Sequence, residues 1–97
     1  MARRKIEVQN VVRSGHIQSV DADKYEATRD AYLSVLGSEA PGMTPAEIKA
    51  ALTARLPEDL FPGGATAGWW AKCVQLDLEA RGVIVRAAGS PVRLRKA

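Results

Sequence analysis

Polar and apolar residues alternate one for one at Lys5-Ile6-Glu7-Val8-Gln9, the period of a strand with one buried face. Val11 and Val12 follow, then Arg13-Ser14-Gly15-His16, where Gly15 suits a turn. Ile17-Gln18-Ser19-Val20 can return as a second strand, so residues 1–20 are expected to form an N-terminal strand or hairpin. Beyond Asp21 the period lengthens. Tyr25, Thr28, Tyr32, Val35 and Leu36 recur at steps of three and four, and Gly37 stops the run. A first helix is expected over 22–36, capped by Asp21 or Asp23, with Glu26 three residues after Asp23.

Thr44-Pro45-Ala46-Glu47 is the sharpest local signal. Thr44 suits the N-cap, Pro45 the first helical position, and Glu47 closes a capping box. Ile48, Ala51, Leu52 and Leu56 then mark one stripe up to Pro57, so a second helix is expected over 45–56. The connector that follows holds Leu60 and Phe61 and is expected to contain a short helical turn around Glu58-Asp59-Leu60. A third helix is expected over 67–81, opened near Thr66 and stopped by Gly82. Val83-Ile84-Val85-Arg86 and Val92-Arg93-Leu94-Arg95 flank Ala87-Ala88-Gly89-Ser90-Pro91, giving a hairpin over 83–95.

Three helices with one apolar stripe each leave a core open on one side, and a small sheet must cover it. The expected fold is mainly α with a small antiparallel sheet (α+β), a winged helix-turn-helix spanning residues 1–97 as a single domain. The last hairpin would be the wing, and the N-terminal strand would pair beside it. Leu60-Phe61-Pro62-Gly63-Gly64-Ala65, Gly68-Trp69-Trp70-Ala71-Lys72 and Val74-Gln75-Leu76-Asp77-Leu78-Glu79-Ala80-Arg81-Gly82 resemble a family of small bacterial proteins whose function is not established. Ile6-Glu7-Val8 and Asp23-Lys24-Tyr25-Glu26 extend the resemblance over nearly the whole chain. It implies a winged-helix-like domain and brings no activity, ligand or catalytic residue.

Composition narrows the function classes. Apolar residues make up 46% of the 97 and charged residues 26%, ordinary for one globular domain. No apolar run reaches membrane-spanning length, and none of signal-peptide type follows Arg3-Arg4-Lys5, so a cytoplasmic protein is expected. Cys73 is the only cysteine and His16 the only histidine. Together they supply neither a zinc set nor a convincing nucleophile–base pair, so no metal, no cofactor and no enzyme activity are expected. Cys73 sits among Trp70, Val74 and Leu78 and reads as a buried free thiol.

The formal net charge is +3, unevenly spread. Residues 21–80 hold ten acids against five bases, whereas residues 81–97 hold Arg81, Arg86, Arg93, Arg95 and Lys96 with no acid. Basic ends suggest contact with a polyanion, and ordinary solubilising charge is the competing reading.

On the third helix Lys72, Gln75 and Glu79 share one side, where Lys72 can reach phosphate or guanine and Gln75 adenine. Thr66 and the first amides of that helix can hold a phosphate. Arg86, Arg93, Arg95 and Lys96 would supply the wing's cations, with Arg93 and Arg95 on one face. Asp77 and Glu79 count against DNA, and Asp77 can instead pair with a cation inside the domain. DNA is thus the expected partner, in the manner of a small transcriptional regulator. The alternative is a protein–protein interaction module on the same scaffold, with an exposed Trp69 or Trp70 as its anchor. A homodimer through the first helix or the N-terminal hairpin is compatible with either.

Overall fold

The structure is a computed structural model that describes residues 4–12, 15, 17–39, 41–87, 89 and 91–97. Arg3, Arg13, Ser14, His16, Ala88 and Ser90, which figure in the expectations for the two turns and the basic N-terminus, lie outside the described residues. Among the described residues the order is β1 (Lys5–Gln9), β2 (Ile17–Asp21), α1 (Ala22–Val35), α2 (Pro45–Thr53), α3 (Ala67–Ala80), β3 (Ile84–Arg86) and β4 (Leu94–Lys96). The architecture is α+β, with helices against two small antiparallel sheets.

β1 and β2 pair antiparallel with Ile6 opposite Val20 and Val8 opposite Gln18. Val8 and Val20 are buried, so the alternating row faces the core as its period requires. Asp21 caps α1 by accepting the Lys24 amide at 3.1 Å. Asp23 and Glu26 make no capping box; both accept from the Arg4 guanidinium, at 2.7 and 2.9 Å. Tyr25, Thr28, Ala31 and Tyr32 form the buried stripe of α1.

The capping box of α2 forms as its sequence requires: Glu47 N–H donates to Thr44 Oγ1 at 3.2 Å and Thr44 N–H to Glu47 Oε1 at 2.9 Å. The helix ends at Thr53 rather than residue 56. Arg55 and Leu56 amides turn back to Leu52 and Thr53 carbonyls, three residues away. Pro57 explains the tightening, because its ring disfavours helical geometry in the residue before it. The connector turns at Pro57, where the Leu60 and Phe61 amides both reach its carbonyl, and a 3-10 turn over Pro62–Gly64 follows. Phe61 is fully buried and meets Trp70 edge-on, which anchors the connector to α3.

Two residues past the end of α3 the chain turns at Gly82, whose φ of 74° is a conformation glycine adopts without a Cβ penalty. The Val83 amide closes the end on the Leu78 carbonyl at 3.0 Å. β3 and β4 then pair with Val85 opposite Arg95. The N-terminal strand does not join them: β1–β2 and β3–β4 are separate sheets. The neighbour of β4 is instead Met43, bonded both ways to Leu94 at 2.8 and 2.9 Å. β1 is held elsewhere, because the Gln9 amide donates to Asp77 and the Val11 amide to the Leu76 carbonyl, both on α3. Leu94, Ile84, Ile48, Leu52, Val74 and Tyr32 meet in the core.

Candidate nucleic-acid interface

α3 was expected to carry a solvent-facing polar row, and the structure breaks that row. Lys72 is exposed. Gln75 is buried at 3% exposure and donates through Nε2 to Glu79 Oε2 at 3.2 Å. The reason is packing: Gln75 and Tyr32 of α1 line the same cleft with α2, so this flank of α3 faces protein. Gln75 is therefore unavailable to a base edge.

Glu79 is also engaged. Its carboxylate takes a bidentate pair from Arg86, Nε at 2.8 Å and Nη2 at 3.0 Å. This partnership raises the Arg86 pKa and neutralises a carboxylate whose side chain is only 6% exposed. Arg86 is consequently a counter-charge within the domain. Arg93 donates to the Gly42 carbonyl at 3.3 Å and lies 3.8 Å from Glu47. Lys72, Arg95 and Lys96 have no carboxylate partner among the described residues. Thr66 is exposed in left-handed backbone at φ 61°, with its hydroxyl turned to the Ala65 carbonyl at 2.6 Å. The Thr66 side chain makes no capping hydrogen bond to α3.

Two features go beyond the sequence reading. The first is the centre formed by Asp77: the expected pairing with a cation inside the domain forms, to Arg81, but the carboxylate is wholly buried and also accepts from α1 and β1. Its donors are the Tyr25 hydroxyl, the Gln9 amide at 2.7 Å and Arg81 Nε at 2.9 Å. Burial, then the Asp77 contact, pushes the Tyr25 phenol upward, so its proton stays in place to donate. The signal was present: Asp77 follows Val74 by three and Trp70 by seven, on the buried stripe. The second is a pocket of about 170 Å³ between the β1–β2 hairpin and α3. Trp69 and Lys72 stand on its α3 side, with Cys73 between them and the core. Trp70 is the tryptophan that enters the core, and Trp69 stays 51% exposed. Burial raises the Cys73 thiol from 9.0 to about 11, so it stays protonated at neutral pH.

No helix among the described residues is long and apolar enough to cross a membrane. The described residues contain no group of three His, Cys, Asp or Glu placed to hold a metal ion. The chain belongs to the family described as "Family of unknown function (DUF6958)", whose model matches residues 5–94. Neither the curated proteins nor the solved structures contain a match to the chain.

Proposed function

We propose that this member of a family of unknown function is a winged-helix domain that binds nucleic acid through its phosphates, with little reading of base sequence by α3. The bridge from Met43, just before α2, to β4, together with the β3–β4 pair that follows α3, supports the winged-helix part. The observation that carries the binding part is that Lys72, Arg95 and Lys96 keep cationic charge that no described carboxylate neutralises. Burial of Gln75 removes the side chain best suited to adenine, so affinity rests on phosphate contacts.

The test is a titration of labelled duplex DNA of mixed sequence at several salt concentrations. Three phosphate contacts give a slope of log K against log salt of about −2.7. Replacing Lys72, Arg95 and Lys96 together by alanine is expected to abolish most of that slope, and unlabelled duplexes of unrelated sequence are expected to compete equally. Full affinity in the triple variant would remove the proposal. A second reading, a protein-binding module, draws on the exposed apolar residues Val11, Val12 and Ile17 at the far end of the hairpin. It predicts self-association or partner binding lost on Ile17→Ser with nucleic-acid affinity intact.

A further inference from the structure

The pocket between the β1–β2 hairpin and α3 has a composition that a plain packing defect would not need. One wall is the ring of Trp69, half-exposed and braced edge-on by Trp70 at 4.9 Å and 80°. The brace holds the ring upright without covering it. One helical turn along, at the i+3 position, Lys72 stands on the rim with no described carboxylate against it. On the hairpin side the pocket is lined by Gln18, opposite Val8 in the strand register, and by Asn10, whose Oδ1 accepts the Val12 amide; Gln9, between Val8 and Asn10, turns its side chain to the other face of the strand. The floor is apolar, made by Val8, Cys73 and Leu76. No Asp or Glu lines the pocket, and the nearby Asp77 is spent on Tyr25, Gln9 and Arg81.

We infer that this pocket takes an unpaired nucleobase, stacked on Trp69, its edge met by the hairpin amides and its phosphate by Lys72. The chemistry fits part by part. Stacking on an aromatic ring is how single-stranded nucleic acid is held without strict sequence choice. Amides offer both donors and acceptors, which suits the edges of any base. A cation one turn from the ring sits where a backbone phosphate leaves a stacked base. The pocket, about 170 Å³ and open on one side, has room for one planar ring. A base inside a duplex is stacked on its neighbours and cannot enter, so the pocket selects single strands. The inference rests on the nucleic-acid reading above and adds a ligand class to it.

The experiment uses the full chain with three probes: a labelled oligothymidylate, a duplex of equal length, and thymidine monophosphate. Anisotropy reports the oligomers and tryptophan emission reports the mononucleotide. The single strand is expected to bind more tightly than the duplex at equal salt, and the mononucleotide to quench emission weakly. Trp69→Ala is expected to weaken single-strand binding about tenfold. Duplex binding should change by less than about twofold, because the wing cations are independent of the ring. Trp69→Phe should retain most single-strand affinity, and unchanged thermal midpoints show that both variants fold. Unaltered single-strand affinity in folded Trp69→Ala overturns the inference. Duplex binding without single-strand binding overturns the pocket and leaves the proposed function standing. Failure of every probe removes both. Loss of self-association in Trp69→Ala, without an effect on nucleic acid, assigns the ring to a contact between copies and also overturns it.

Discussion

Replacing Asp77 by alanine tests the account of how the hairpin is fastened to α3. The carboxylate is wholly buried and gathers donors from α1, from β1 and from the end of its own helix. In the alanine variant the Tyr25 hydroxyl, in a residue 3% exposed, is left without that acceptor. A stranded buried hydroxyl costs about 1–3 kcal/mol. The Gln9 amide loses its partner in a part-buried place, adding about 1 kcal/mol. Arg81, with its side chain 42% exposed, turns to water and adds little. Removing the carboxylate also removes its own desolvation cost, which offsets part of the loss. The expected net destabilisation is about 2–4 kcal/mol, a large share of the roughly 5–15 kcal/mol typical of a domain.

The assay is urea unfolding followed by tryptophan emission, with amide exchange at Gln9 as a local probe. Asp77→Ala should lower the midpoint and speed exchange at Gln9. Asp77→Asn keeps an acceptor oxygen and should cost about half as much. Tyr25→Phe removes one donor, and its combination with Asp77→Ala should fall short of additivity by about 1 kcal/mol. An alanine variant within about 1 kcal/mol of wild type, or strictly additive single costs, would refute the idea that one buried acceptor binds three elements.

Two further outcomes follow from the same structure. A Cβ on Gly42, at φ 87°, would lie 2.3 Å from the Leu94 carbonyl oxygen, inside the Met43–Leu94 bridge. Gly42→Ala should cost more than about 2 kcal/mol and lower the thermal midpoint by about 10 °C, and an unchanged midpoint would contradict the bridge. Cys73 has a folded pKa raised by burial above its unfolded value, so its contribution to stability is full below the lower value and drains as pH rises. Stability should therefore fall between pH 9.0 and about 11, with a shallower slope in Cys73→Ala. Equal slopes in urea unfolding across that range would place the thiol in water.

Local chemistry was legible in the sequence and long-range pairing was not. The capping box at Thr44 and Glu47 needs only residues three apart, and it forms. The apolar stripes of the helices follow from a fixed period, and α1 starts where its pattern starts. Met43 gave no strand signal, because a single bridged residue has no period to read. Gln75 reads as surface on a wheel drawn for one isolated helix; α1 and α2 both close over that flank, which the wheel cannot represent. For Trp69 and Trp70 the pattern required one ring in the core without saying which. Phe61 and the connector decide it by packing on Trp70.

The charge asymmetry carries the functional lesson. Five cations follow residue 80 without an acid among them, which in the sequence reads as a basic surface. Folding brings acids to them from earlier in the chain: Asp77 to Arg81, Glu79 to Arg86 and, at longer range, Glu47 to Arg93. Much of the basic tail is therefore internal counter-charge, and Arg95 and Lys96 are what remains of it for a partner. α3 is likewise not a bare recognition helix, since the hairpin is bonded to it at Leu76 and Asp77. A helix with one flank covered by a hairpin and another by α1 and α2 cannot lie deep in a major groove. It can still present the narrow stripe that stays open, and that stripe carries one aromatic ring and one cation, Trp69 and Lys72. A stripe of that kind suits a base brought to it on a flexible strand better than a duplex whose bases are locked in place.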